Sequence, residues 1–481
     1  ATNFDLVQAP PDCPANYPML LRDDERCRLW YKPDTVFEMP KVHVLVSLRT
    51  PVAYESPAST VLTSLFQAVV LENANHFLYQ ASVAGLHGNI VATRSGLELQ
   101  MTGYNHKMHA LVHHMVVGTL SGAKNVEEEV FQRLKDNHKK QLQQFFVAPP
   151  YRHATYATEL FMLETKWTAQ EKLDALNTVT LESFRGFCAR LLAPVSMELL
   201  VHGNILSDEA QRFADICLEG ITLGEYQETT RPRVVSLAPG KSYIYRVDEF
   251  NPQEKNSCVS NTYWVGPMEL KTNAMISLTQ HLLEEPAYST LRTEQQLGYV
   301  VWTYVNTVGD GVKGITVEVQ SDAFLPNVVD QRIEAFVQTY FQKTLTGMPQ
   351  EEFAKQKQAI IQHLLEKNKN LMEESSKYWD AMTKRHYLFT RLQQIAKILE
   401  TVTKPETVEF YETYLMPSPK RVKVSIQVTS SPHKEEMAAS PQATDDDKVL
   451  LVTDVSSFKP TQQFYPLSET VNVDEYKIET G

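Results

Sequence analysis

Glycine is scarce in this chain, at 18 of 481 residues, and none of it builds a phosphate-cradling GxxxxGK[ST] loop or a GxSxG nucleophile elbow. P-loop nucleotide chemistry and elbow-type serine hydrolysis are therefore not expected. Cysteine is nearly absent. Cys13, Cys27, Cys188, Cys217 and Cys258 are scattered, odd in number and without CxxC spacing. No thiolate zinc site follows, and free thiols in a reducing compartment are the simplest reading. A Cys13–Cys27 pair in an oxidising compartment is the alternative. No run of about 18 or more apolar residues occurs, so no membrane-spanning helix is predicted. Basic residues are outnumbered 46 to 58, a net charge of −12. That disfavours a nucleic-acid partner, because phosphate binders carry a basic footprint. The chain starts Ala1-Thr2-Asn3-Phe4, without Met or a charged-then-apolar leader. A cut or processed N-terminus is expected, and cytoplasm is the predicted compartment, with a lost mitochondrial transit peptide as the alternative.

What is present points to two domains, since a chain of this length exceeds one core. Apolar residues make up 43% and charged residues 22%, which is ordinary for a globular protein. Element order repeats with a long period. In the early block, alternation at Val42, Val44, Val46 and Leu48 predicts a strand. A helical stretch over 59–79, a second strand with Leu97, Leu99 and Met101, several helices and a closing strand over 197–201 follow. The later block runs a strand near Val259–Val265, a helix, the strand of Ile315, Val317 and Val319, more helices and a closing strand with Val422, Val424, Ile426 and Val428. Thr178-Val179-Thr180, placed within a helical stretch, is echoed by Thr401-Val402-Thr403. The expected division is 1–230 and 231–481. Residues 429–447 are rich in Ser, Pro and Ala and end in Asp445-Asp446-Asp447, so they read as a flexible acidic loop with solvated charge.

Metal chemistry has little to stand on. Neither HExxH nor HxxEH occurs. His106, His109, His113 and His114 share a predicted helix, but no acidic residue lies between Asn105 and Ala123 to act as ligand or base. They read as a non-ligating cluster, and no metal is expected on this chain.

The stretch Leu291-Arg292-Thr293-Glu294-Gln295-Gln296-Leu297-Gly298-Tyr299 is more informative. It sets a guanidinium fork and a phenol at a helix-to-strand break, and Gly298 permits a tight turn. Two such donors aimed at a peptide carbonyl would stabilise the oxyanion formed when water attacks, each worth about 2.7–4 kcal/mol in a dry site. Val300, Val301 and Trp302 follow and would line or shape a substrate wall. On chemistry alone the plainer reading is stronger: Arg292 ion-paired on the surface and Tyr299 packed in the strand.

This stretch, with Thr2-Asn3-Phe4, Gly103-Tyr104-Asn105, His202-Gly203-Asn204-Ile205 and Lys377-Tyr378-Trp379, resembles the C-terminal half of the insulysin/pitrilysin family of zinc metallopeptidases. The resemblance implies an α+β fold of two homologous α/β sandwich domains, the third and fourth of the family, forming half of a clamshell chamber. It implies that zinc and the glutamate base sit on an HxxEH helix of an N-terminal partner half. Arg292 and Tyr299 would then be the catalytic pair contributed to bound peptide. Family members of the insulysin type also carry a basic, anion-binding cluster in the chamber wall. Glu366-Lys367-Asn368-Lys369-Asn370 is less basic, which weakens that expectation here. The implied partners are peptide substrates and the zinc-bearing half, with homo-oligomerisation left open. Two rival readings remain: a catalytically inactive scaffold or core subunit, and a stand-alone peptide-binding module.

Overall fold

The structure is a computed structural model and describes residue 6 and residues 16–25, 27–193, 195–221, 231–267, 269–440, 448–469 and 471–477. The expected α+β class is the one adopted. In the first half, β1 (Met19–Asp23), β2 (Cys27–Pro33), β3 (Lys41–Arg49), β4 (Leu86–Thr93), β5 (Gly96–Tyr104) and β6 (Ser196–Gly203) form one sheet in the order β1-β2-β6-β3-β5-β4. A short ribbon then pairs β7 (Val235–Ser236) with Gln463–Phe464. The second sheet holds β8 (Lys241–Asp248), β9 (Ser257–Gly266), β10 (Val300–Val308), β11 (Val312–Ser321), β12 (Val422–Thr429) and β13 (Val449–Val452), in the order β10-β11-β9-β12-β8-β13.

The two orders coincide strand for strand. β8, β12, β9, β11 and β10 stand where β2, β6, β3, β5 and β4 stand, and the parallel pair recurs at the same place. Only the outer edge differs: β1 enters first and antiparallel, whereas β13 arrives late and parallel. Val179 and Val402 also match, each extended between two helices at φ −67°, ψ 128° and φ −65°, ψ 131°. Contrary to the sequence reading, no helix runs through Val179: one ends at Thr178 and the next begins at Leu181. The helix breaks because Thr180 caps the next one, as Thr403 does in the second half, each accepting an N–H of its own first turn.

Both faces of each sheet are covered. Val42, Val44, Val46 and Leu48 of β3 are fully buried against helices of their own half. On the opposite face Trp30, Leu45 and Leu200 meet Tyr378, Trp379 and Met382 of helix Leu371–Thr383, which comes from the second half. Reciprocally, helix Pro150–Met162 of the first half lays Ala154, Ala157 and Phe161 on Val424, Ile426 and Val428 of β12. The halves thus exchange one helix each.

Two of the motifs singled out in the sequence meet at the first of these seats. Ser375 Oγ lies 2.8 Å from Nδ1 of both His43 and His202. Tyr378 donates to Glu374 at 2.7 Å, and Trp379 Nε1 donates to Glu98 at 3.0 Å. Burial, with help from Lys41, lowers His43 to about 4, and burial holds His202 well below its usual range, so both rings are neutral. Gly203 sits at φ +138°, where a Cβ would stand 2.3 Å from the Lys41 carbonyl oxygen. At the second seat, His153 bonds the Glu249 carboxylate at 2.9 Å and the Phe145 carbonyl at 2.7 Å. Burial opposes its charge, but these two acceptors outweigh burial and raise its pKa.

Glu318 of β11 lies opposite Ser260, which pairs with Ile426 beneath the donated helix. Burial pushes its carboxyl up to about 7, while the Tyr304 hydroxyl donates to it at 3.1 Å. A carboxyl whose folded pKa is raised stabilises the fold below its unfolded pKa, and that contribution is lost as pH rises through the folded value. Glu318→Gln is therefore expected to raise stability at about pH 8 by roughly 2–3 kcal/mol and to change little near about pH 4. Denaturant titrations at the two pH values check this; an equal effect at both would contradict it.

The loop expected over 429–447 is built differently at its start. Thr429 ends β12, Ser431–His433 form a 3-10 turn, and Lys434–Ala439 form a helix that buries Met437. Polar composition misled there because a single apolar residue suffices to anchor a short helix. Asp445, Asp446 and Asp447 lie outside the described residues, as does Cys13. Cys27, Cys188, Cys217 and Cys258 are buried free thiols, and no described helix is long and apolar enough to cross a membrane.

Candidate functional site

Helix Leu270–Ala287 runs on into a wider π-helical turn, Tyr288–Glu294, and the chain then reaches edge strand β10 within a few residues. Gln295 N–H donates to the Thr290 carbonyl at 2.9 Å and Leu297 N–H to the Leu291 carbonyl at 3.0 Å, closing the helix end. Gln296 takes the left-handed conformation at φ +53°. Gly298 is required by space: a Cβ there would stand 1.8 Å from the Gln320 carbonyl oxygen of β11. Gly298→Ala must push β10 off β11, with an expected loss of about 1–3 kcal/mol. An unchanged denaturant midpoint would show that the strand gives way freely.

This turn brings the two donors together. The Arg292 guanidinium carbon lies 4.8 Å from the Tyr299 ring centroid, a cation–π contact. Tyr299 is 89% exposed, so it is not the packed strand residue of the plainer reading. Arg292 has no ion-pair partner among the described residues, and its buried Nε has no hydrogen-bond partner. Both donors are therefore uncommitted and share one surface.

The residues after Tyr299 divide by strand alternation. Val301 is 3% exposed and packs in the core with Leu283 and Leu291. Of the two roles expected for it, lining or shaping a substrate wall, its burial leaves almost no exposed surface for the first. Val300 is half-buried, and Trp302 is exposed and meets Tyr151 edge-on at 5.1 Å. Tyr151 belongs to the helix donated by the first half. Sequence reasoning missed it, since nothing near Pro149-Pro150 marks a contact with a strand some 150 residues later.

The histidine cluster does not form a ligand set. His106, His109 and His113 are exposed, and the His114 ring stacks on Phe77 at 3.8 Å. Among the described residues no group of three or more His, Cys, Asp or Glu is placed to hold a metal ion. In the segment of reduced basicity, Lys369 is further offset by Glu366 at 3.4 Å.

Residues 1–175 match the model of the middle or third domain of peptidase M16, and residues 278–379 match that of the C-terminal lobe domain 4 of PQQ synthase PqqF-like proteins. Insulin-degrading enzyme-like 1, peroxisomal, of Arabidopsis thaliana is 30% identical over 96% of this chain and 48% of its own length. The chain belongs to the pitrilysin/insulysin (M16) peptidase family. The insulin-degrading enzyme of Homo sapiens is 30% identical over 89% of this chain and 42% of its own length. Pitrilysin, 21% identical, shares the fold with a TM-score of 0.85 over 97% of this chain and 48% of its own. The chain thus spans about half the length of the M16 relatives it matches.

Proposed function

We propose that this chain is the substrate-enclosing, non-zinc half of an M16 zinc endopeptidase that degrades peptides of the insulin-like class, in the cytoplasm. The observation that carries this reading is the pair of uncommitted donors, Arg292 and Tyr299, stacked at the start of an edge strand. The complementary half would bring the zinc that activates water. Arg292 and Tyr299 orient the scissile carbonyl and donate to the oxygen on which negative charge develops. Val300 and Trp302, backed by Val301, shape the adjoining wall, and closure of the two halves excludes water and limits substrate size. The residue ranges 1–230 and 231–481 correspond in this reading to the third and fourth domains, and four buried free thiols favour a reducing compartment.

The test is complementation. The chain is mixed with an HxxEH-bearing half, and cleavage of a fluorogenic peptide is followed. Turnover by the mixture, with none by either half alone, supports the proposal. A well-formed complex that cleaves nothing favours the inactive scaffold. Tight peptide binding by this chain alone favours the stand-alone binding module.

A further inference from the structure

Helix Leu270–Ala287 carries a proline, Pro286, in its last turn. Proline has no N–H, and its ring crowds the carbonyl one turn back, so the Leu282 carbonyl loses its usual helical donor. Leu282 is buried, and a buried carbonyl left unpaired is costly. A side chain from another helix supplies the missing donor. Tyr340, the last residue of helix Pro326–Tyr340, donates its hydroxyl to the Leu282 carbonyl at 2.9 Å. Tyr340 is 3% exposed, and burial with the nearby charge of Glu285 raises its pKa, so the phenol remains a donor. Its ring centroid lies 6.0 Å from that of Phe336 and 5.9 Å from that of Tyr411. Tyr411, on helix Lys404–Tyr414, donates in turn to the Val337 carbonyl at 2.9 Å. Two buried phenols thus brace three helices in series.

What the brace holds is the approach to Arg292. The π-helical turn Tyr288–Glu294 starts just past Pro286. Such a turn lies one residue out of the ordinary helical register, and a slip of one residue would rotate its side chains by about 100°. Leu291 anchors the turn in the core. Its other side borders a cavity of about 170 Å³, lined among others by Pro286, Thr290, Gln295, Phe336, Tyr340 and Thr344. Gln295 Oε1, buried at this cavity, has no hydrogen-bond partner and so does not pin the turn. Space of that size lets the turn shift unless its root is fixed. Tyr299, by contrast, leads directly into β10, whose register on β11 is set from the Val300–Gln320 pair onward. The brace therefore bears on Arg292 rather than on Tyr299.

We propose that Tyr340 is a positioning residue for Arg292: its hydroxyl stands in for the N–H that Pro286 lacks, and so fixes the π-helical turn that aims the guanidinium beside Tyr299. The catalytic consequence rests on the role proposed above for Arg292. A misplacement of about 1 Å at a group that must meet the reacting carbonyl can cost about 10²-fold in rate.

Tyr340→Phe keeps the ring and removes the hydroxyl alone, which makes it the test variant. In the full chain, peptide-resolved hydrogen exchange over 288–297 should become about tenfold or more faster, with exchange along β11 unchanged. Pro286→Ala returns a backbone N–H to the Leu282 carbonyl. Added to Tyr340→Phe, it should bring exchange back to within about threefold of wild type, which a role in ring packing would not allow. After the chain is joined with a zinc-bearing half, Tyr340→Phe should lower kcat about tenfold or more while KM changes less than about threefold. In an Arg292→Ala background it should cause no further loss, because it acts through Arg292. Unchanged exchange over 288–297 in Tyr340→Phe, no recovery by Pro286→Ala, or the same kcat loss with and without Arg292 would each overturn the proposal. If Arg292→Ala itself leaves kcat unchanged, the functional reading fails, and the exchange measurements decide the brace on their own.

Discussion

Tyr299→Phe, assayed after the chain is joined with a zinc-bearing half, is expected to lower kcat by about 10²–10³-fold, and Arg292→Ala by a similar factor. The magnitude is that of one preorganised donor in a water-excluded site, about 2.7–4 kcal/mol of transition-state stabilisation. The loss should fall on kcat more than on KM, because the donors strengthen their bonds only as charge develops on the carbonyl oxygen. Arg292→Lys should recover little, since an ammonium loses the planar fork and its stacking on the ring. Misfolding offers no easy escape: Tyr299 is 89% exposed, and removing its hydroxyl takes no contact from the core. Thermal midpoints of wild type and Tyr299→Phe should therefore agree while activities differ. A loss below about threefold for both variants would remove the pair from the mechanism.

How much of this was legible depends on whether the signal is local. Strand alternation in β3 and β12 is local, since Val42, Val44, Val46 and Leu48, or Val422, Val424, Ile426 and Val428, each read directly as one buried face. The stretch from Leu291 to Tyr299 is local too, and Gly298 signals a break whose cause, the Gln320 carbonyl, appears only in three dimensions. The destination of a helix is not local. The apolar residues of Pro150–Met162 and Leu371–Thr383 say that each helix is buried, but not that each lies on the other half's sheet. For the same reason Tyr151 beside Trp302 was invisible, and so was the meeting of His202 with Ser375. The inward side of Val301 was not legible because three apolar residues in a row hide the alternation that sends the middle one into the core.

The exchange of helices leads to the other large expected effect. A chain break introduced within residues 222–230 leaves both sheets intact but separates each from the helix that covers its back. The first fragment then exposes the seat formed by Trp30, Leu45 and Leu200, each less than 5% exposed in the intact chain. The second fragment uncovers Val424, Ile426 and Val428, and carries Tyr378, Trp379 and Met382 on a helix with nothing to pack against. At about 25 cal/mol per Å², and about 150–250 Å² for each large aromatic, one such aromatic is worth about 4–6 kcal/mol of burial. Several are lost together on each side, against a total stability of about 5–15 kcal/mol for an ordinary domain. Neither fragment alone should therefore unfold cooperatively. Each should bind a hydrophobic dye and lack near-UV circular dichroism. Mixing them should restore one cooperative transition, because the helices can be exchanged between chains as they are within one. If either fragment instead unfolds cooperatively by itself, close to the midpoint of the intact chain, the exchanged helix only covers an already stable sheet, and the halves are independent domains rather than one folding unit.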